Sequence, residues 1–204
     1  MNLPNKITVA RLILTIILIG FLALPYDVFG WTIPLYNGGL NLIYVIGAAL
    51  FLVASLTDFL DGYIARKYDL ITNFGKFMDP VADKVLIDAS LLFLMVKPLW
   101  ASPDQVTILP IIVIIFIARD LIVDAMRLVA SNKKIVVAAN IFGKLKTVAQ
   151  MIAVTFVFLN DWPFSFLNLP TYLRVTDFLL YIAAALSVLS GVIYVYQNRK
   201  VFAD

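Results

Sequence analysis

Three residue types that often carry chemistry are missing from this chain of 204 residues. It contains no cysteine and no histidine, and all 13 of its acidic residues are aspartate. The lack of cysteine excludes disulfides and thiolate metal sites. The lack of histidine excludes imidazole both as a metal ligand and as a general base. Metal binding or proton transfer by a carboxylate therefore falls to aspartate, whose oxygens suit hard divalent cations.

Charged residues are also scarce, at 14% of the chain, whereas hydrophobic residues make up 62%. This composition is typical of a polytopic membrane protein and excludes an ordinary soluble domain. We predict an all-α fold with six transmembrane helices in a single catalytic domain over residues 1–204. A short interfacial segment is expected at about 1–11 and a basic tail at about 197–204. The first span is expected to end near residue 24, and the other five are expected to cover about 40–68, 73–96, 106–130, 136–159 and 172–196.

The distribution of basic residues predicts how the chain lies in the membrane. Of the lysines and arginines, only Lys97 and Arg174 fall on the side opposite to the termini. All three tryptophans, Trp31, Trp100 and Trp162, fall on that opposite side. By the positive-inside rule, we expect a multi-pass protein of the cell membrane with both termini in the cytoplasm. Topology thus explains the net charge of +3, and a nucleic-acid partner is not expected.

Four carboxylates lie at ordered spacing within this apolar sequence. Asp58 and Asp61 are three residues apart and Asp79 and Asp83 are four apart, so each pair lies on one face of a helix. An ionised aspartate near a bilayer core costs at least ~2.5 kcal/mol, which points to function. A shared divalent metal is the simplest cause, because it cancels the repulsion between carboxylates. The spacing therefore predicts a metal site at one membrane surface.

Two residues beside the first pair favour phosphate chemistry. Gly62 allows a ligand to approach the backbone, and Arg66, one turn later, suits a forked contact with phosphate. The whole stretch closely resembles the signature D-x2-D-G-x2-A-R-x8-G-x3-D-x3-D of the CDP-alcohol phosphotransferases. These membrane enzymes move a phosphatidyl group from a CDP-linked lipid to an alcohol. Every fixed position is filled, by Asp58, Asp61, Gly62, Ala65, Arg66, Gly75, Asp79 and Asp83.

A second, basic group of residues follows in the fourth and fifth predicted spans. Arg119 and Arg127 are eight residues apart and lie roughly on one helix face, and Lys144 and Lys146 lie at similar depth across the turn. Such residues can bind a small anion, with arginine supplying geometry and lysine supplying charge. The alternative is simple anchoring of basic residues at the inner membrane interface.

The basic group and the N-terminus, residues 2–11, resemble the bacterial phosphatidylglycerophosphate synthases within that family. Asp120 departs from this pattern, in which glutamate is expected after the arginine. The resemblance implies that CDP-diacylglycerol and sn-glycerol 3-phosphate give phosphatidylglycerol phosphate and CMP. It also implies a homodimer formed through the membrane spans.

The resemblance assigns roles to individual residues. Asp58, Asp61 and Asp79 are expected to hold Mg²⁺, with Mn²⁺ as the alternative ion. Asp83 is expected to share the metal and to act as the general base. The acceptor phosphate is expected on Arg119, Arg127, Lys144 and Lys146. The CDP-lipid is expected on Asn5, Thr8, Gly62, Arg66, Thr72 and Gly75.

Two rival functions remain at this stage. The same chemistry with another acceptor, such as inositol phosphate, would also use a phosphate-binding arginine cluster. A cation-coupled transporter would also place carboxylates in the membrane, although paired half-repeats are absent. Asp88 is a weaker site candidate, because it follows Lys84 by four residues and an ion pair within the helix is expected.

Overall fold

The structure is a computed structural model that describes residues 2–31, 33–36, 39–68, 72–133 and 141–199. At positions 3, 59–63, 65, 66, 73 and 76 it describes the backbone alone. Its main elements are six α-helices and one short antiparallel pair of strands. The helices are α1 (Leu3–Ala23), α2 (Leu42–Lys67), α3 (Asn73–Met95), α4 (Pro110–Asn132), α5 (Ile141–Phe158) and α6 (Val175–Gln197); the strands are β1 (Leu35–Tyr36) and β2 (Leu40–Asn41).

Local sequence explains where several helices begin. The Asn41 side chain accepts a hydrogen bond from the backbone N–H of Ile43 at 2.9 Å, which caps α2. Thr72 caps α3 in the same way, since its hydroxyl accepts from the N–H of Gly75 at 3.0 Å. Pro110 lies in the first turn of α4, where its missing N–H costs nothing. These residues stop each helix at the loop and fix where its first turn lies.

The helices pack around one apolar core in the middle of the bundle. α1 lies against α2 and α3, α6 lies against α4 and α5, and α2 contacts α5 between the two groups. Leu22, Phe51, Leu91, Phe116 and Phe158 are almost or completely buried in this core. Many large apolar side chains on the outer faces stay exposed, as expected for helices that meet lipid.

Length and hydropathy mark three helices of the described chain as able to cross a membrane. They are α1 from Pro4, α5 and α6. The described apolar stretch of α2, Leu42–Asp58, is shorter than these. The prediction of an all-α membrane protein is confirmed, and the described residues form six α-helices. That all six cross the membrane stays a prediction.

The N-terminal segment is helical earlier than its polar composition suggests. The stretch expected to form an interfacial segment, at about 1–11, belongs to α1 from Leu3 onward. Pro4 stands in the first turn, where proline favours a helix start. The polar residues Asn5, Thr8 and Arg11 are then buried against other helices. This helical start brings the polar end of α1 into the site described below.

A substitution at Gly47 tests the close packing of α1, α2 and α5. A Cβ atom at this position would lie 3.1 Å from Leu22 Cδ2 and 3.1 Å from Phe158 Cε1, whereas a Cβ at Gly20 would meet nothing within 4 Å. We expect Gly47→Leu to destabilise the protein by about 1–3 kcal/mol through overpacking, and Gly20→Leu to have little effect. Melting temperatures in detergent measure both. Equal melting temperatures for the two variants would contradict this packing.

Candidate active site

The N-terminal turns of α1 dock against the start of α3 through a chain of hydrogen bonds. The Thr72 hydroxyl that caps α3 also donates to Asn5 Oδ1 at 2.8 Å. Gly75 is buried in the same contact, since a Cβ there would lie 3.2 Å from Asn5 Oδ1 and 3.6 Å from Asp79 Oδ2. The close approach of the two helices thus depends on the absence of a side chain at position 75.

Carboxylates from α2 and α3 meet around a buried cation from α1. Arg11 has no exposed surface, and its guanidinium donates a hydrogen bond to Asp58. Its Nη2 also lies 4.0 Å from Asp79 Oδ1, which accepts a hydrogen bond from Thr8 at 2.7 Å. The side chains of Asp58 and Asp79 remain 36% and 44% exposed, so a ligand can approach from their open side.

Asp83 follows Asp79 by one turn of α3 and faces a cavity of about 450 Å³. Its Oδ1 atom is buried and has no hydrogen-bond partner in the part of the chain that the structure describes. A buried polar atom without a partner is rare, and it often marks a place where a ligand, water or ion belongs. Asp58 lines the same cavity.

The opposite wall of this cavity carries the basic residues of α4 and α5. Arg119, Arg127, Lys144 and Lys146 all line it, which places them in one space with Asp58 and Asp83. The predicted acceptor site therefore shares a single cavity with one carboxylate of each predicted Asp pair, Asp58 and Asp83. If the phosphate group of an acceptor bound to the basic wall, the rest of the acceptor could extend toward the carboxylates.

Asp120 neutralises part of the basic wall. Lys146 is 3% exposed, and its Nζ donates to both carboxylate oxygens of Asp120 at 2.8 and 2.7 Å. Arg119 donates to Asp120 at 2.9 Å and to the Ser190 hydroxyl at 3.0 Å. The acidic residue at this position therefore holds two of the four predicted phosphate ligands in place.

Arg127 and Lys144 are less constrained than Arg119 and Lys146. Arg127 is exposed; its Nε donates to the Tyr194 hydroxyl at 3.3 Å, and its guanidinium lies 5.8 Å from the centre of that ring. Lys144 is exposed at the cavity wall. Arg127 and Lys144 therefore have more of their charge available to an incoming anion.

Further charged residues complete the wall. The ion pair expected between Lys84 and Asp88 is wrong, because Lys84 instead pairs with Asp124 on α4. The inter-helix partner lies closer than the partner one turn along α3, and sequence spacing cannot reveal this. The charged residues that line the described cavity are Lys84, Arg119, Arg127, Lys144 and Lys146 on the basic side and Asp58, Asp83, Asp88, Asp120 and Asp124 on the acidic side.

The donor set suits a divalent ion even though the described side chains do not form a finished metal site. No group of three carboxylates close enough to hold an ion occurs among the described residues. The side chains of Asp61 and Arg66 are not described, and at Gly62 the structure describes the backbone alone. The hydrogen bonds to Asp58 and Asp79 engage one oxygen of each, and the unpartnered oxygen of Asp83 adds a third carboxylate donor. An all-oxygen set of this kind fits Mg²⁺ or Mn²⁺.

Sequence reasoning missed the part played by Arg11. It counted this arginine among the basic residues on the side of the termini and within the N-terminal motif at 2–11, and assigned it no partner and no role in the site. One signal was present, since Arg11 is the single charged residue between Ile7 and Leu24. A lone cation inside an apolar helix requires a buried anionic partner, and the aspartates of α2 and α3 were the available anions.

Comparison with known proteins places the chain in a family. It belongs to the CDP-alcohol phosphatidyltransferase family, whose sequence profile matches residues 1–189. The resemblance found in the signature is thus confirmed, and an enzyme is favoured over a transporter. Members of this family generally depend on a divalent metal.

Three bacterial relatives carry the name CDP-diacylglycerol–glycerol-3-phosphate 3-phosphatidyltransferase. The relative from Bacillus subtilis (strain 168) is 40% identical over 201 residues, covering 97% of this chain and 95% of the relative. The relative from Mycoplasma genitalium is 34% identical over 213 residues, covering 98% and 86%. The relative from Rickettsia felis is 35% identical over 202 residues, covering 98% and 97%.

Removing the Arg11 charge tests whether it holds the aspartates together. In Arg11→Met, Asp58 loses its cation, and we expect the metal-free protein to lose about 1–3 kcal/mol of stability. Melting in detergent with EDTA measures this loss. Arg199→Met, which removes an exposed guanidinium near the end of the described chain, serves as the control. Equal melting of the two variants would show that the buried ion pair contributes nothing.

Proposed function

We propose that this protein transfers a phosphatidyl group from CDP-diacylglycerol to sn-glycerol 3-phosphate, giving phosphatidylglycerol phosphate and CMP. The observation that carries the proposal is the single cavity in which Asp58 and Asp83 face Arg119, Arg127 and Lys144. Carboxylates suit metal binding and proton transfer, and the basic wall suits an acceptor that carries its own phosphate. The names of the three relatives support the same reaction.

Asp58, Asp61, Asp79 and Asp83 are the proposed ligands of Mg²⁺, with Mn²⁺ as the alternative. A bound divalent ion would neutralise the pyrophosphate and stabilise the departing CMP. Within the chain itself, Arg11 and Thr8 would orient Asp58 and Asp79 by engaging one oxygen of each. Such outer contacts fix the direction in which a carboxylate presents its remaining oxygen.

The CDP-lipid is proposed to bind where α1, α2 and α3 meet. Asn5, Thr8, Thr72 and Gly75 form a connected group there, and its contacts with Asp79 support a role in shaping the nucleotide site. Gly62 and Arg66 are proposed to complete this site. The diacylglycerol tails would lie among the helices in the bilayer.

The acceptor phosphate is proposed to bind Arg119, Arg127, Lys144 and Lys146. Because Asp120 engages Lys146 and Arg119, their main effect would be to shape the site, whereas Arg127 and Lys144 would supply most of the attracting charge. Binding the phosphate at one end of the acceptor fixes the distance of its hydroxyl from the reacting phosphorus.

Transfer then requires one proton acceptor. The C1 oxygen of the acceptor attacks the β-phosphorus of CDP-diacylglycerol, Asp83 takes the hydroxyl proton, and the phosphorus–oxygen bond to CMP breaks. The position of Asp83 in the cavity wall supports this role, and no described donor competes for its Oδ1 atom.

The placement in the membrane is also a proposal. We infer a cell-membrane protein in which all six helices cross the bilayer, with the site and both termini on the cytoplasmic side. The excess of lysine and arginine at that end supports this orientation. A homodimer through the helices and a single catalytic domain over residues 1–204 complete the proposal.

An acceptor assay tests the function directly. Protein purified in detergent is incubated with CDP-diacylglycerol, Mg²⁺ and radiolabelled sn-glycerol 3-phosphate, and the lipid product is measured. We expect lipid product only with the metal present, because without a cation the carboxylates and the pyrophosphate repel each other. Turnover with inositol phosphate and none with sn-glycerol 3-phosphate would contradict the proposed acceptor.

Asp83→Asn tests the assignment of the general base. The amide cannot take the hydroxyl proton, so we expect turnover to fall by about 10²–10⁴-fold while CDP-diacylglycerol binding is largely kept. Turnover and lipid binding are measured on the same preparation. Asp104→Asn, at the opposite end of the bundle, is the control. A near-normal rate for Asp83→Asn would exclude Asp83 as the base.

A further inference from the structure

Ser55 on α2 has an unused hydroxyl at the wall of the central cavity. It lies three residues before Asp58, on the same face of the helix, and both residues line the cavity. Its Oγ atom is buried and has no hydrogen-bond partner within the described ranges of the chain. Leaving a buried hydroxyl unpaired is costly, so its retention calls for an explanation.

The hydroxyl of Ser55 behaves unlike most others on the helices of this protein. Four serine or threonine hydroxyls donate to the backbone carbonyl four residues earlier, a common way to satisfy such a group inside a helix. They are Thr15 to Arg11 at 2.9 Å, Ser90 to Leu86 at 2.7 Å, Thr147 to Gly143 at 3.1 Å and Thr155 to Met151 at 2.8 Å. Ser55 makes no such bond, which leaves its hydroxyl for a partner that arrives from the cavity.

Asp83 is the other residue of the described cavity wall with a buried, unpartnered oxygen. The proposed acceptor carries two hydroxyl groups besides its phosphate, at C1 and at C2. If the phosphate binds the basic wall and the C1 hydroxyl meets Asp83, the C2 hydroxyl needs a polar partner on the carboxylate side of the cavity. Ser55 is a neutral hydroxyl on that side, able both to donate and to accept.

We propose that Ser55 binds the C2 hydroxyl of the acceptor alcohol and so selects a vicinal diol phosphate over a simple hydroxyalkyl phosphate. This inference rests on the proposed function and names one further contact of its acceptor. The hydrogen bond orients the middle carbon, which directs the C1 oxygen toward phosphorus. A site built to bind a hydroxyl disfavours an analogue without it, because its own polar group is then left unpaired.

The test compares sn-glycerol 3-phosphate with 3-hydroxypropyl phosphate, which lacks the C2 hydroxyl. For the unchanged protein we expect kcat/KM to be about tenfold higher with sn-glycerol 3-phosphate, the size of one neutral hydrogen bond. Ser55→Ala should bring this ratio close to one, mainly by lowering the value for sn-glycerol 3-phosphate. Ser55→Thr, which keeps a hydroxyl, should restore part of the preference.

Ser90→Ala is the matched control. Ser90 is a buried helical serine that donates to its own helix and does not line the described cavity, so its removal should leave the ratio unchanged. Ser55→Cys replaces Ser55→Ala if the alanine variant does not bind CDP-diacylglycerol, and it should lower the ratio as well.

The outcomes separate this inference from the function on which it rests. A Ser55→Ala variant that keeps the full preference would overturn the contact, and so would one that slows both acceptors equally. No turnover of sn-glycerol 3-phosphate by the unchanged protein would instead refute the proposed function.

Discussion

A guanidinium without exposed surface is stable only among anions, and this constraint organises the polar end of the bundle. Arg11 on α1 lies beside Asp58 on α2 and Asp79 on α3. Leaving the buried guanidinium without these carboxylates would be costly. The helices are therefore held at the separation that lets them share charge, and the same separation creates an approach for a ligand. Stability and site geometry arise here from one interaction.

The other half of the site uses the opposite arrangement. On α4, Asp120 lies between Arg119 and Lys146 and accepts hydrogen bonds from both. An anion thus positions cations on this side, whereas a cation positions anions on the other side. Each wall keeps part of its charge for ligands: Arg127 and Lys144 on the basic wall, and Asp83 on the acidic wall. Such pairing lets like charges stand close together before substrates arrive.

The sequence was sufficient to predict the fold because its signals are local. Runs of apolar residues with polar breaks placed α2 at about 40–68 and the structure has Leu42–Lys67, and the third span was placed at about 73–96 against Asn73–Met95. The spacing of the aspartates likewise depends only on the helical repeat. The fixed signature made the family recognisable from one chain.

The remaining features depend on contacts between helices, and the spacing of residues along one helix does not reveal such contacts. The pairing of Lys84 with Asp124, the position of Asp120 between two cations and the unused hydroxyl of Ser55 all require knowledge of which faces meet. Arg11 could have been noticed as an isolated charge, yet its partners could not have been chosen from the sequence. Composition and periodicity define the elements, whereas the chemistry of a site depends on how those elements are turned toward each other.

The balance of charge around the central cavity has a thermodynamic consequence. Five basic and five acidic residues among those described line it, so the wall is formally neutral. A phosphorylated acceptor brings about two negative charges into this space. Electroneutrality then favours simultaneous uptake of positive counterions or protons from solution. By reciprocity, whatever cation accompanies the anion will itself bind more tightly once the anion is present.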